Sequence, residues 1–180
     1  MMAGSGTFVI EAGLIAANKA PGAGRAFSFM LWPKYRKQLW HQLVLEAKKG
    51  ECGGYAAIKG VDNNPKAVTA ARANLERAGL GAGIEVSYGK LQDLVPTGAT
   101  GLLIGNPPYG GRLGGSADLR PFYREIEYLC SQVFASWKCA LLCPAAVAGH
   151  IRKLKLNPLL GFSHGGIRVF LYVSEPGKTS

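Results

Sequence analysis

Apolar and polar positions along this chain alternate between two rhythms. A helical rhythm begins at residues 8–15, extended by Ala16 and Ala17, directly after the short turn Gly4-Ser5-Gly6-Thr7. Residues 18–25 are rich in proline and glycine and predict a connection. A second helix is expected over residues 33–49. Leu39, Trp40, Leu43 and Val44 would form its buried stripe, with Lys34, Arg36, Lys37, Lys48 and Lys49 outside. Residues 55–61 read as a strand ending at Asp62. Asn64-Pro65 then opens a helix in which Ala67, Val68, Ala71, Leu75 and Ala78 recur at helical spacing, and Gly79 stops it. Residues 84–88 and 101–104 predict two more strands, the second running into Gly105-Asn106-Pro107-Pro108-Tyr109. A helix over 118–134, a buried strand over 139–143 and a helix over 145–154 follow. Residues 159–162 and 167–173, flanking His164-Gly165-Gly166, predict an antiparallel hairpin.

Strands alternating with helices imply an α/β fold on a mostly parallel sheet, closed by a C-terminal hairpin. The first helix starts so early that nothing before it can form a central first strand. At 180 residues, one domain over 1–180 is expected, large enough to bury a core. A hydrophobic fraction of 48% against 18% charged residues excludes a disordered chain. No apolar run approaches the roughly 18 residues that span a bilayer, and the N-terminus has no signal-peptide pattern, so no membrane role is expected. Cys52, Cys130, Cys139 and Cys143 contain no C-x-x-C pair and suit core packing better than a metal site; a reducing cytoplasm is their simplest home. The formal charge of +10 points to a polyanionic partner, of which nucleic acid is the commonest.

Three motifs carry chemistry. In Gly4-Ser5-Gly6-Thr7 the glycines let backbone approach a ligand, and the following helix presents unpaired N–H groups. Asp62, at the end of a strand, is placed to accept hydrogen bonds from both ribose hydroxyls of a nucleoside, with Asn63 beside it. It comes far later after the glycine turn than the roughly 20 residues of a dinucleotide fold, so the region between must hold an inserted segment. Asn106-Pro107-Pro108-Tyr109 follows a buried strand. An amino group conjugated to a ring is a poor nucleophile, because its lone pair is delocalised. The Asn106 amide oxygen and the Pro107 carbonyl could accept both its hydrogens and stabilise the charge that develops on nitrogen. The prolines stiffen the backbone, and Tyr109 offers a flat face for stacking.

The order of glycine turn, strand-end acid and Asn-Pro-Pro-Tyr resembles the amino-group methyltransferases, which share an (Asp/Asn)-Pro-Pro-(Tyr/Phe) signature. Gly4-Ser5-Gly6-Thr7 leading to Glu11, then Ala20-Pro21-Gly22, Arg25, Phe27, Phe29 and Trp32, then Asn106-Pro107-Pro108-Tyr109-Gly110 with Arg112-Leu113, resembles the THUMP-associated RNA methylase family. The resemblance implies a Rossmann-like class I methyltransferase sheet and S-adenosyl-L-methionine as cofactor, bound by Gly4, Ser5, Gly6, Thr7, Asp62 and Asn63. It also implies an RNA partner, most simply large-subunit ribosomal RNA, methylated at guanine N2 by direct transfer with no cysteine nucleophile. Asn106, Pro107, Pro108 and Tyr109 would be catalytic, and Arg112 and Arg120, which flank the loop after them, would contact RNA.

This sequence departs from the family pattern at three places. The Asp-Pro and hydrophobic strand that normally precede the turn are absent. The acid usually found near the cofactor adenine is replaced by Lys90, with Asp93 as a substitute. The N-terminal THUMP module is missing, so a partner domain would supply RNA binding. Adenine-N6 methylation uses the same signature, and a non-catalytic RNA-binding remnant of the family is the competing class.

Overall fold

The computed structural model describes residues 1–22, 24–53, 57–80, 83–109 and 118–176. Helices α1 (Thr7–Ala16) and α2 (Lys37–Lys49) come first, followed by strand β1 (Ile58–Asp62), helix α3 (Pro65–Arg77) and strand β2 (Ile84–Tyr88). Strand β3 (Leu102–Gly105) precedes α4 (Arg120–Tyr128), which continues into a π-helical turn at Leu129–Val133. Strand β4 (Lys138–Cys143), the single-turn α5 (Ala145–Ala148) and strands β5 (Asn157–His164) and β6 (Ile167–Ser174) follow.

β1 and β2 pair in parallel; β3 and β4 also pair in parallel, and β6 and β5 extend that second sheet antiparallel in the order β3-β4-β6-β5. The hairpin turns at Gly165-Gly166, both at positive φ, as a two-residue type I′ turn requires. Among the described residues no strand pairs with both β1 and β3 to join the two sheets. Residues 1–3 touch both sheets instead: the Met1 amino group donates to the Ile104 carbonyl (3.1 Å), and the Ala3 N–H donates to the Val61 carbonyl (3.0 Å).

Each sheet has its own core. Val68, Ala71 and Leu75 share one face of α3 and pack with Val9 of α1 and Val86 of β2. α3 starts where Asn64 accepts from the Lys66 N–H (3.0 Å) and Pro65 fills the first helical position. The larger core joins Leu103, Tyr123, Ile126, Cys139, Leu141, Cys143, Val169 and Tyr172. Cys139, Leu141 and Cys143 alternate along β4 and are fully buried, so these cysteines serve as packing residues. Burial pushes the Cys143 thiol up to about 11, which keeps it protonated and unreactive near neutrality.

Two expectations fail here. The helix expected over 33–49 begins only at Lys37, after a 3-10 turn at Ser28–Leu31, and no residue of α2 is buried. Leu39 and Leu43, expected inside, are about half exposed at 48% and 49%. The apolar contacts in this region are local: Trp40 meets the rings of Phe27 (5.7 Å) and Phe29 (5.2 Å) edge-on. The helix expected over 145–154 stops after one turn. Gly149 ends it, Ile151 turns into the core, and the Lys153 N–H bonds the Glu127 carboxylate. The strand expected over 55–61 is described from Ile58, and residues 54–56 lie outside the described residues.

Candidate active site

The glycine turn sits beside the end of β1. Gly4 (φ +55°) and Gly6 (φ +88°) both occupy left-handed backbone that favours glycine. Their surroundings differ. A side chain on Gly6 would stand 3.0 Å from the Ala71 Cβ, so glycine here lets α1 approach α3. A side chain on Gly4 would meet nothing within 4 Å. Ser5 and Thr7 are exposed, and Thr7 is the first residue of α1. No side chain caps α1, which leaves its first N–H groups facing the turn.

Asp62 holds this turn. Its carboxylate accepts from the Gly4 N–H (2.8 Å) through one oxygen and from the Asn64 N–H (2.9 Å) through the other. The cap of α3 is Asn64, so Asp62 is not occupied with ending a helix. Each oxygen of a carboxylate offers about two acceptor positions, so each retains capacity for a hydroxyl. Asn63 is exposed next to it. Asn74, which none of the sequence motifs includes, donates from its amide to the Ser5 carbonyl (2.8 Å) and ties the turn to α3. It follows the buried Ala71 by three residues, and that helical spacing is the one sequence signal pointing it toward the turn.

The Asn106 motif leaves β3 at the neighbouring strand end. At Gly105 a Cβ would come within 2.9 Å of the Met1 side chain and 3.0 Å of Met2, so β3 runs close against the residues preceding the glycine turn. The motif and the turn are thereby drawn to one end of the fold. The Asn106 side-chain oxygen is buried and has no hydrogen-bond partner among the described residues. Such an acceptor is costly unless something else fills it, by about 1–3 kcal/mol. Pro107 is fully buried. The Pro108 carbonyl accepts from the Tyr123 hydroxyl (2.8 Å), which anchors the motif to α4. Burial raises the pKa of that hydroxyl, so it remains a donor throughout the neutral range.

Tyr109 departs from expectation. It is only 2% exposed and belongs to the main core, so its ring offers no open face on which a planar substrate could stack. Apolar surroundings account for this: the ring packs where β3, β4 and α4 converge. Asp93 is exposed and is used locally, accepting from the Lys90 N–H (3.1 Å) across the 3-10 turn Leu91–Asp93. Arg120 opens α4 and pairs with Asp118 (2.8 Å). That contact lowers the Asp118 pKa and raises that of Arg120. Arg112 lies outside the described residues. The structure therefore brings Gly4, Ser5, Gly6, Thr7, Asp62 and Asn63 together, places Asn106 and Pro107 at the adjacent strand end, and leaves Asp93 in a turn of its own.

Comparison with known proteins adds family context to this geometry. The model of the RMKL-like methyltransferase domain matches residues 2–147. Ribosomal RNA large subunit methyltransferase K/L of Methylococcus capsulatus is 40% identical over 145 residues, covering 78% of this chain and 20% of that protein. The protein of the same name from Allochromatium vinosum is 33% identical over 183 residues, covering 97% of this chain and 25% of its own length. This chain thus spans about a fifth to a quarter of these relatives. The crystal structure of SMU.472 complexed with SAH superposes with a TM-score of 0.88 at 29% identity, covering 99% of this chain and 48% of that one. The fold is the Rossmann-like class I methyltransferase fold, and the chain belongs to the RMKL-like methyltransferase domain family.

Proposed function

We propose that this chain is the methyl-transfer domain of an S-adenosylmethionine-dependent RNA methyltransferase whose target is guanine N2 in large-subunit ribosomal RNA. The observation that carries the reading is the buried Asn106 side-chain oxygen at the end of β3, which has no hydrogen-bond partner among the described residues. The names of the relatives and the SAH bound to SMU.472 support the same chemistry.

The residues present fit the cofactor: open space beside Gly4, whose N–H is held in place, and a strand-end carboxylate with unused acceptor positions. S-adenosylmethionine, when bound, supplies an electrophilic methyl group on sulfonium. Gly4, Ser5, Gly6 and Thr7 would accommodate its amino-acid end, and Asp62, with Asn63 beside it, its ribose. Asp93 serves its own turn here and stands only as a further candidate near the adenine. Asn106 Oδ1 and the Pro107 carbonyl accept the two hydrogens of the substrate amine, turning its lone pair out of conjugation. As positive charge grows on nitrogen, both acceptors bind more strongly, which lowers the barrier. Pro108 keeps the loop stiff, and Tyr123 fixes it from behind. Tyr109 contributes as packing under the clamp. A partner domain would add RNA affinity, with Arg112 and Arg120 contacting RNA at the domain itself.

Incubating the protein with tritiated S-adenosylmethionine and unmodified ribosomal RNA, then digesting to nucleosides, tests this directly. Label in N2-methylguanosine is expected. Label confined to N6-methyladenosine would refute the guanine assignment, and absence of label with a folded, cofactor-binding protein would refute the transfer reading.

A further inference from the structure

Among the described residues, one face of α4 is exposed. Arg120, Arg124 and Tyr128 follow one another at four-residue spacing along it, while Tyr123 and Ile126 point into the core. Facing this stripe is the segment after α5, with His150, Arg152 and Lys153. Together they enclose a cleft of about 840 Å³, within the size range of roughly 300–1,000 Å³ typical of ligand sites.

Its electrostatics are one-sided. Four cationic side chains line it against one carboxylate, Glu127, which is 8% exposed and already accepts the Lys153 backbone N–H. Arg120 is paired with Asp118, whereas Arg124, Arg152 and Lys153 make no side-chain ion pair or hydrogen bond among the described residues. Three unpaired cations in one concavity select a polyanion. An aromatic ring stands among them: Tyr128 is 63% exposed. Phosphate-binding cations interleaved with an exposed aromatic suit a single strand, whose backbone meets the charges while a base stacks.

The cleft also has a physical connection to the clamp. The His150 ring, on the cleft wall, stacks on Tyr123 at 5.6 Å with 13° between planes, and the Tyr123 hydroxyl holds the Pro108 carbonyl. The His150 wall of the cleft is therefore two contacts from the Asn106 motif.

We infer that the cleft between α4 and the segment after α5 is the docking groove for single-stranded RNA flanking the target nucleotide. Arg124, Arg152 and Lys153 bind its phosphates, and Tyr128 stacks on one base. This rests on the RNA-methylation reading and adds the path by which the strand reaches the site. Single-stranded RNA fits because the amino group of a paired guanine cannot enter a side-chain clamp.

Fluorescence anisotropy with a short labelled single-stranded RNA, over a salt series, tests the groove. The combined Arg124→Gln, Arg152→Gln, Lys153→Gln variant is expected to bind at least about tenfold more weakly. Its salt slope should shrink by roughly 2, at about 0.7 for each phosphate no longer neutralised. Its melting temperature and S-adenosylmethionine affinity should not change, because these side chains support nothing else. Lys34→Gln, Arg36→Gln, Lys37→Gln removes the same charge near α2 and should keep the wild-type slope. Tyr128→Ala should weaken binding by about tenfold at unchanged slope.

Wild-type RNA affinity in the cleft variant, or an equal loss in the α2 control, overturns the groove. Unchanged affinity in Tyr128→Ala overturns its assignment to a single strand. The groove is read by RNA affinity and the Asn106 clamp by methyl transfer, so the two readings separate. Absence of methyl transfer alongside an intact cleft effect would therefore count against the transfer reading alone, and transfer with no cleft effect against the groove alone.

Discussion

The two strand ends that build the site differ in how their hydrogen bonds are used. At the end of β1, Asp62 is engaged by Gly4 and Asn64, Ser5 is held by Asn74, and Ala3 is held by Val61. That half is completed by the chain itself. At the end of β3, the Asn106 oxygen is buried with no partner among the described residues, although the loop carrying it is fixed by Tyr123. A fold tolerates a buried unpaired acceptor when rigid surroundings hold it in place and function returns the cost. On the proposed reading, binding belongs to the first half and chemistry to the second.

Substitutions can break that division, and their expected effects on stability fall in order. Asp62→Ala removes a charged acceptor from two backbone N–H groups and should cost about 2–4 kcal/mol in denaturant unfolding, at about 1.5–3 kcal/mol for each such bond before relaxation. Cofactor affinity should fall with it. Gly6→Ala must hold a Cβ at positive φ against Ala71 and should cost about 1–2 kcal/mol or more. Gly4→Ala carries only the backbone part in stability, but it fills the open space beside the turn, so calorimetry should register a larger loss of S-adenosylmethionine affinity than of stability. Tyr123→Phe removes one hydrogen bond, about 0.5–1.5 kcal/mol. Its diagnostic effect is a reduced kcat at unchanged KM for S-adenosylmethionine, because only the β3 half is loosened. Leu43→Gln, on the exposed face of α2, should stay within about 0.5 kcal/mol of wild type.

Much of this arrangement is legible in the sequence because local chemistry decides it. Asn64-Pro65 with Val68, Ala71 and Leu75 defines α3 from cap to stripe, and the strand over residues 84–88 matches β2 at both ends. Gly165-Gly166 between two apolar runs defines the hairpin. Where tertiary context decides, local pattern misleads. The leucines of α2 have helical spacing, but among the described residues no core lies opposite them, so periodicity reports a face without reporting its burial. Tyr109 has the residue type of a stacking platform, yet core packing takes its ring. Contacts between distant residues leave no local trace: Asn74 on Ser5, Tyr123 on Pro108 and the cleft across from α4 join positions separated by many residues.

The measurement that reaches the central claim most directly is Asn106→Ala, assayed for methyl transfer and for S-adenosylmethionine affinity in the same preparation. Transfer should fall by about 10²–10³, the cost typical of deleting one preorganised hydrogen-bonding group that acts on transition-state charge, while cofactor affinity stays within about twofold. Transfer at the wild-type rate, or a loss explained entirely by weaker cofactor binding, would contradict the account.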